Sequence, residues 1–379
     1  MGFWEWVYFV SVYISLLICL IAAFKIGRAS GWRDGLLELL ILVGFAVAYW
    51  LLESFAHHSA PFYVYPHVFP DMVPFLDLST HINAQPHVCD QHGFNKISLT
   101  VPFLEASMTY CLMWTAKLLL KPHGWVNSPH ATAVAPFIVG LMALELDATL
   151  DPIVSESFTC SPVDLEHVGM GFWKWFADPD MANFWYGIPM FNYGAWFAAP
   201  VILVICVLLI NWIYELFLYL KGLFIGPPHP IPSVANGLFQ IAILIAFLAL
   251  HLTSPGTNPP YTQAAIMLVA IVVSLVIVFR KLGTYKRDNP FRWEFVVPLV
   301  IIFTMPLPMF YVSGAFSMGQ DWFLAILALV FAVIAIFFAL SPYSGSWLFP
   351  SMAPQNLPKN PGGGTPAPGT GPTKPGTTP

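Results

Sequence analysis

Charge is what this chain has least of. Only 9% of its 379 residues are Asp, Glu, Lys or Arg, against about 25% in an ordinary soluble domain. With 57% hydrophobic residues, that scarcity excludes a water-soluble globule and points to an integral membrane protein. No basic block stands out, and the net charge is −5, so nucleic acid is not an expected partner. The first apolar run has neither the basic leader nor the small-residue cleavage site of a signal peptide, so it reads as a retained span. Also missing are a Gly-rich phosphate loop, a dinucleotide fingerprint, a Ser nucleophile elbow and zinc-finger spacing. Internal repeats and heptads do not occur either. The absence of repeats, and of polar residues in the later spans, counts against a transporter.

What is present is a series of long apolar runs. Stretches able to cross a bilayer fall near 4–24, 35–56, 98–119, 131–149, 194–219, 234–252, 261–279, 295–313 and 321–340. The expected fold class is therefore all-α, a polytopic membrane bundle of about nine transmembrane helices. Thirteen of the 15 basic residues then gather on one side, and only Lys96 and Lys174 fall opposite. The positive-inside rule puts the N-terminus out and the C-terminus in. Residues 1–345 form the membrane domain. Two long outer segments, 57–97 and 150–193, are too aromatic for disorder and read as a structured cap. From Ser351 the chain turns Pro-, Gly- and Thr-rich, the composition of a disordered cytoplasmic tail.

Few cysteines are present, five in all. Cys19, Cys111 and Cys206 lie inside spans and read as small core residues. Cys89 and Cys160 lie in the outer segments, where an oxidising compartment would allow a disulfide or leave two free thiols.

The chemistry-bearing feature is the run Glu145, Leu146, Asp147, Ala148, Thr149, Leu150, Asp151, Pro152 at the end of an apolar stretch. A charge in hydrocarbon costs at least about 2.5–3.5 kcal/mol, so an intramembrane acid is a functional candidate. Asp147 and Asp151 are four apart and share one helix face. Two acids in one apolar site divide the work, one donating a proton while the other accepts. Glu53 and Glu105 fall at a similar depth. The alternative is that each acid caps a helix or pairs with a neighbour, and for Asp151, next to Pro152, a helix end is plausible.

The outer histidines (His57, His58, His67, His81, His87, His92 and His167), with Asp71, Asp77 and Asp90, invite a metal reading. Their spacing fits no ligand motif, so no metal site and no cofactor is expected. His251 is the one histidine well inside a late span, which argues against a bis-histidine haem. Trp173, Trp175, Trp185, Tyr186, Tyr193 and Trp196 cluster after the acids. Such belts are ordinary at membrane interfaces, yet ring faces also stabilise cations. Acid beside aromatic faces is what protonation of an isolated alkene needs.

The runs ALELDATLDP, GFWKWF and FWYGIPMFNYGAW resemble the signature of prokaryotic carotenoid-biosynthesis membrane proteins, the CruF-type carotenoid hydratases. The family shows D-x-x-x-D-P, W-x-W and Y-G-[IV]-P-x-x-N-[FY]-x-x-W segments. Asp147, Asp151 and Pro152 match the first, and Trp173 and Trp175 the second. Tyr186, Gly187, Pro189, Asn192 and Trp196 match the third. Glu53 with Tyr63 and Tyr65 resembles an earlier segment more loosely. The match covers residues 50–200 and is specific over 143–196. The resemblance implies a lyase in the bacterial inner membrane that adds water to the terminal C=C of an acyclic carotenoid, giving a tertiary alcohol without a redox cofactor. It implies Asp147, Asp151 and Glu53 as catalytic residues, with Asn192 on water or hydroxyl. Trp173, Trp175, Tyr186 and Trp196 would line the slot for the carotenoid or other long isoprenoid, next to membrane lipid. The 57–97 segment is longer and richer in histidine than the family pattern. That departure favours the alternative, a non-catalytic membrane subunit whose outer cap packs against protein partners or binds pigment or haem.

Overall fold

The computed structural model describes residues 3–59, 63–64, 70–74, 96–125, 127–158, 165–167, 173–176, 188, 190–227, 229–257, 289–312 and 322–343, with isolated positions at 269, 272, 276 and 285. It is mostly helical. The helices are α1 (Phe3–Ser30), α2 (Trp32–Ser59), α3 (Thr100–Leu119), α4 (Pro129–Val154), α5 (Met190–Phe224), α6 (Val234–Thr257), α7 (Trp293–Thr304), α8 (Pro306–Val312) and α9 (Trp322–Leu340). Among the described residues six helical stretches are long and apolar enough to cross a membrane: Phe3–Ser30, Trp32–Ser54, Pro129–Val154, Asn192–Phe224, Trp293–Tyr311 and Trp322–Leu340.

The expected span at 98–119 is a helix, but a less apolar one than the six. Sixteen of the 20 residues of α3 are buried, among them Glu105, Ser107, Thr109 and Thr115. It packs against α1, α2, α4 and α7. A helix lined by protein on all sides need not be apolar, because its neighbours rather than lipid meet its side chains. In α6 only Val234–Ala249 is described as an apolar stretch. Apart from isolated positions 269, 272 and 276, the expected span at 261–279 lies outside the described residues, as do the tail from Ser351, Cys89, Cys160 and the side chains of the histidines in 57–97 and 150–193.

Small residues set the helix spacing. Gly31, with φ of 120°, ends α1 in a conformation that side chains resist and turns the chain into α2. A Cβ on Gly35 would lie 2.6 Å from the Cα of Gly27, so these two glycines bring α1 and α2 into backbone contact. A Cβ on Gly140 would lie 2.6 Å from the carbonyl oxygen of Phe197, and that close approach joins α4 to α5. Between α7 and α8 the helix breaks at Met305, just before Pro306, which has no N–H to continue the ladder.

The segments 57–97 and 150–193 carry short strands that the sequence did not reveal. These are β1 (Tyr63–Val64), β2 (Met72–Pro74), β3 (Lys96–Ser98), β4 (Ser155–Phe158), β5 (Leu165–His167) and β6 (Trp173–Phe176). One sheet has the order β1-β6-β4-β5, and β2 pairs with β3. Strand β6 runs antiparallel to β1, with Tyr63 opposite Trp175, and parallel to β4, with Trp173 opposite Ser155. The two outer segments are thereby tied together.

Asp71 fastens the β2–β3 hairpin to the helices. Its carboxylate accepts from Ser98 Oγ (2.7 Å), Tyr13 Oη (2.9 Å) and Thr100 Oγ1 (2.9 Å). Both oxygens are engaged by hydroxyl donors, which gives Asp71 a structural role. No group of three potential metal ligands forms among the described residues.

Candidate functional site

Helix α4 starts at Ser128, whose hydroxyl accepts from the backbone N–H of Ala131 at 3.2 Å, with Pro129 in the first turn. It continues through Pro152 to Val154. Asp151 therefore sits inside the last turn rather than at the helix end that Pro152 suggested. Ser155, the residue that closes the helix, donates its hydroxyl to the Asp151 carbonyl at 2.6 Å.

Asp147 and Asp151 share a face, as their spacing predicts, and both are only 1% exposed. That face meets the first turn of α5. Asn192 donates from Nδ2 to Asp147 Oδ2 at 2.8 Å and to Asp151 Oδ2 at 2.7 Å. Two carboxylates can be bridged in this way only by the NH₂ end of the amide, which fixes its orientation. Both Nδ2 hydrogens are then in use, so the part of Asn192 left to meet a water or hydroxyl is its carbonyl oxygen.

Trp175, from β6, donates its indole N–H to Asp151 Oδ1 at 3.2 Å. Its expected role was to line a slot, and the geometry adds that it holds Asp151 in place. Asp151 thus accepts on both oxygens. Asp147 Oδ1, in contrast, is buried with no hydrogen-bond partner among the described residues. Glu105 Oε2 and Glu145 Oε2 share that state, so what sets Asp147 apart is the amide it shares with a second buried acid.

Two further acids close the cluster. Glu105 on α3 is 4% exposed, and its Oε2 is likewise buried without a hydrogen bond among the described residues. Glu53 on α2 is half-buried. Both lie near enough to act electrostatically on Asp147, and Glu53 acts on Glu105. Carboxyl groups from α2, α3 and α4 thus converge at one end of the bundle. Tyr8 of α1 is fully buried and senses Glu105, Asp71, Asp151 and Glu53. It sits in an apolar run with nothing in its surroundings to single it out, and sequence reading passed over it.

Trp196 follows Asn192 by one turn and is buried in the core. Trp173 contributes backbone pairing to the cap sheet; its side chain and all of Tyr186 lie outside the described residues. Of the acids weighed from sequence, Glu145 is the one set apart. It is half-buried on another face of α4, with Oε2 lacking a hydrogen bond among the described residues.

The arrangement suits proton transfer. One carboxyl is held by two donors, its partner presents a free oxygen, and one amide fixes their separation. Such positioning is what general acid–base catalysis requires. Comparison with protein-family models, with curated proteins and with solved structures gave no match.

Proposed function

We propose that this chain is a membrane enzyme of carotenoid biosynthesis that adds water across the terminal C=C of an acyclic carotenoid end group. The observation carrying this reading is Asp147. It is a buried carboxyl whose Oδ1 has no partner among the described residues, bridged by Asn192 to a second acid, within motifs that resemble the hydratase signature.

In this reading Asp147 delivers its proton to the less substituted carbon of the terminal double bond. A C–H bond forms, the π bond breaks, and a tertiary cation is left. The neighbouring carboxylates and aromatic faces stabilise it. Water then forms the C–O bond while Asp151 takes its proton. Transfer of that proton between the two neighbouring carboxyls resets the pair. The sum is one water added, with no electrons gained or lost. Glu53 and Glu105 supply negative potential facing the cation. Trp175 and Asn192 position Asp151, and the motif resemblance assigns Trp173, Tyr186 and Trp196 to the polyene slot.

The full membrane arrangement belongs to the same proposal. It has nine spans with the N-terminus outside and the C-terminus inside, in a bacterial cytoplasmic membrane, with the acid cluster near the outer face beneath the cap.

The test is a pigment profile. The chain is expressed in a bacterial host that accumulates lycopene, and the extracts are separated by liquid chromatography with mass detection. A more polar pigment heavier by one water, absent with Asp147→Asn, is the expected result. An unchanged profile from protein shown to be folded in the membrane would sink the hydratase reading and favour the non-catalytic subunit.

A further inference from the structure

Cys19 of α1 and Cys111 of α3 meet inside the bundle. Their Sγ atoms are 3.5 Å apart, both side chains are fully buried, and neither is in a disulfide. Cys19 Sγ also lies 3.9 Å from the carbonyl oxygen of Ser107, one turn before Cys111. A short side chain that reaches both the backbone and the next turn of α3 brings the two helices into close contact. Small residues permit that approach. The seam is made of Ser15, Cys19 and Ala22 on α1 and of Ser107, Cys111 and Thr115 on α3, all fully buried. Cys111 Sγ lies 4.0 Å from the backbone carbonyl of Glu294 on α7, so three helices surround the pair.

Packing alone asks for nothing more than a small side chain at either position, as Ala22 supplies three residues on. Two sulfurs in contact offer a covalent option besides. A disulfide has an S–S distance of about 2.05 Å, so closing the gap moves each sulfur by about 0.7 Å. A small turn about each Cα–Cβ bond covers that distance.

The enclosure decides which oxidant can act. Water-borne reagents have no route to a seam buried among membrane helices. Lipid is nearer, because Leu17 and Leu20, on either side of Cys19, are 56% and 37% exposed on a helix apolar enough to cross the membrane. Transient local parting of α1 from α3 then exposes the thiols to whatever the lipid carries.

We propose that Cys19 and Cys111 are an oxidation site, closed by a lipid-soluble quinone into a disulfide that staples α1 to α3 within the membrane. Two S–H bonds break and one S–S bond forms. Both hydrogens pass with their electrons to the quinone, which leaves as the hydroquinone. The bond joins residues 92 apart in sequence, and a cross-link over so long a loop restricts the unfolded chain. The oxidised protein is therefore the more stable form. The site is separate from the acid cluster and does not depend on the hydratase reading.

The test uses membranes holding the full chain, first reduced and then exposed to decylubiquinone, a lipid-soluble quinone. A sulfonated quinone confined to water is the control. The protein is then unfolded, its remaining thiols are alkylated, and the digest is read by mass spectrometry. After decylubiquinone the peptides carrying Cys19 and Cys111 should be recovered joined, lighter together by two hydrogens, with Cys206 of α5 alkylated. The sulfonated quinone should leave Cys19 and Cys111 as separate alkylated peptides. Purified oxidised protein should unfold at a higher temperature than reduced protein, and Cys111→Ala should abolish that difference. Circular dichroism and the elution profile check that Cys111→Ala folds. If it does not, the peptide map of the wild type decides alone. Separate alkylated peptides after decylubiquinone, joining of either residue to a different cysteine, or equal oxidation by the sulfonated quinone would overturn the proposal.

Discussion

Two carboxylates are buried at opposite ends of this bundle, and their surroundings differ in kind. Glu294, at the start of α7, is 2% exposed and accepts from Arg292 Nε at 2.8 Å, with Lys25 Nζ at 3.5 Å. Lys25 and Arg292 also lie over the rings of Trp293 and Phe295. Close by, Glu38 accepts from Tyr110 Oη at 3.0 Å and Trp114 Nε1 at 2.8 Å. Asp147 is as deeply buried, but the charges acting on it are those of Asp151, Glu105 and Glu53, all of its own sign. It has no cation among the described residues. Burial alone therefore does not separate a structural acid from a functional one. At Glu294 the fold supplies opposite charge and the acid ties α1 to α7. At Asp147 the fold gathers like charge and leaves an oxygen without a partner among the described residues, an arrangement that opposes stability and that the proposed acid role would account for.

The contrast can be broken from either end. The largest effect is expected at Asp147→Asn, where loss of a positioned acid should cut hydrated pigment by about 10²–10⁴-fold, read from extracts of the lycopene-accumulating host. Undiminished product would remove Asp147 from the mechanism. Next comes Glu294→Gln, which strips two cations of their partner. Both are partly exposed and can rehydrate, so the cost should be about 2–3 kcal/mol, seen as a lower unfolding midpoint with turnover intact per folded molecule. Asn192→Ala leaves the Asp147 and Asp151 carboxylates without their shared donor. Stability should drop by about 2 kcal/mol, and product should fall out of proportion to the folded protein. The smallest effect belongs to Trp175→Phe, which keeps the ring and removes one hydrogen bond to Asp151. About 1 kcal/mol is expected there, and hydration reduced roughly fivefold, with no change in helical content by circular dichroism.

Much of the helical scaffold was legible in the sequence because lipid-facing helices must be apolar over a fixed length. The same rule explains the misfit at α3, which is enclosed by protein and carries Glu105, Ser107 and Thr109 where lipid would forbid them. The pairing of Asp147 with Asp151 followed from helical spacing alone. That Asn192 and Trp175 join them was suggested by the motif resemblance, but their bonds to the acids were not. Those depend on β6 pairing with β4 and on Gly140 drawing α5 against α4. Strands of two to four residues leave no alternating pattern to read, so the sheet joining the two outer segments left no trace in the sequence. Tyr8 and the Lys25–Glu294 pair were equally silent. Each joins helices distant along the chain, and spacing says nothing about such pairs.

The most direct measurement is the unfolding midpoints of Asp147→Asn and Glu294→Gln beside wild type, in one detergent. Glu294→Gln should unfold several degrees earlier. Asp147→Asn, relieved of the cost of holding an acid protonated among other carboxyl groups while keeping an acceptor for Asn192, should unfold at or above the wild-type temperature. A fall for Asp147→Asn as large as that for Glu294→Gln would show that both acids hold the fold together, and the distinction drawn between them would fail.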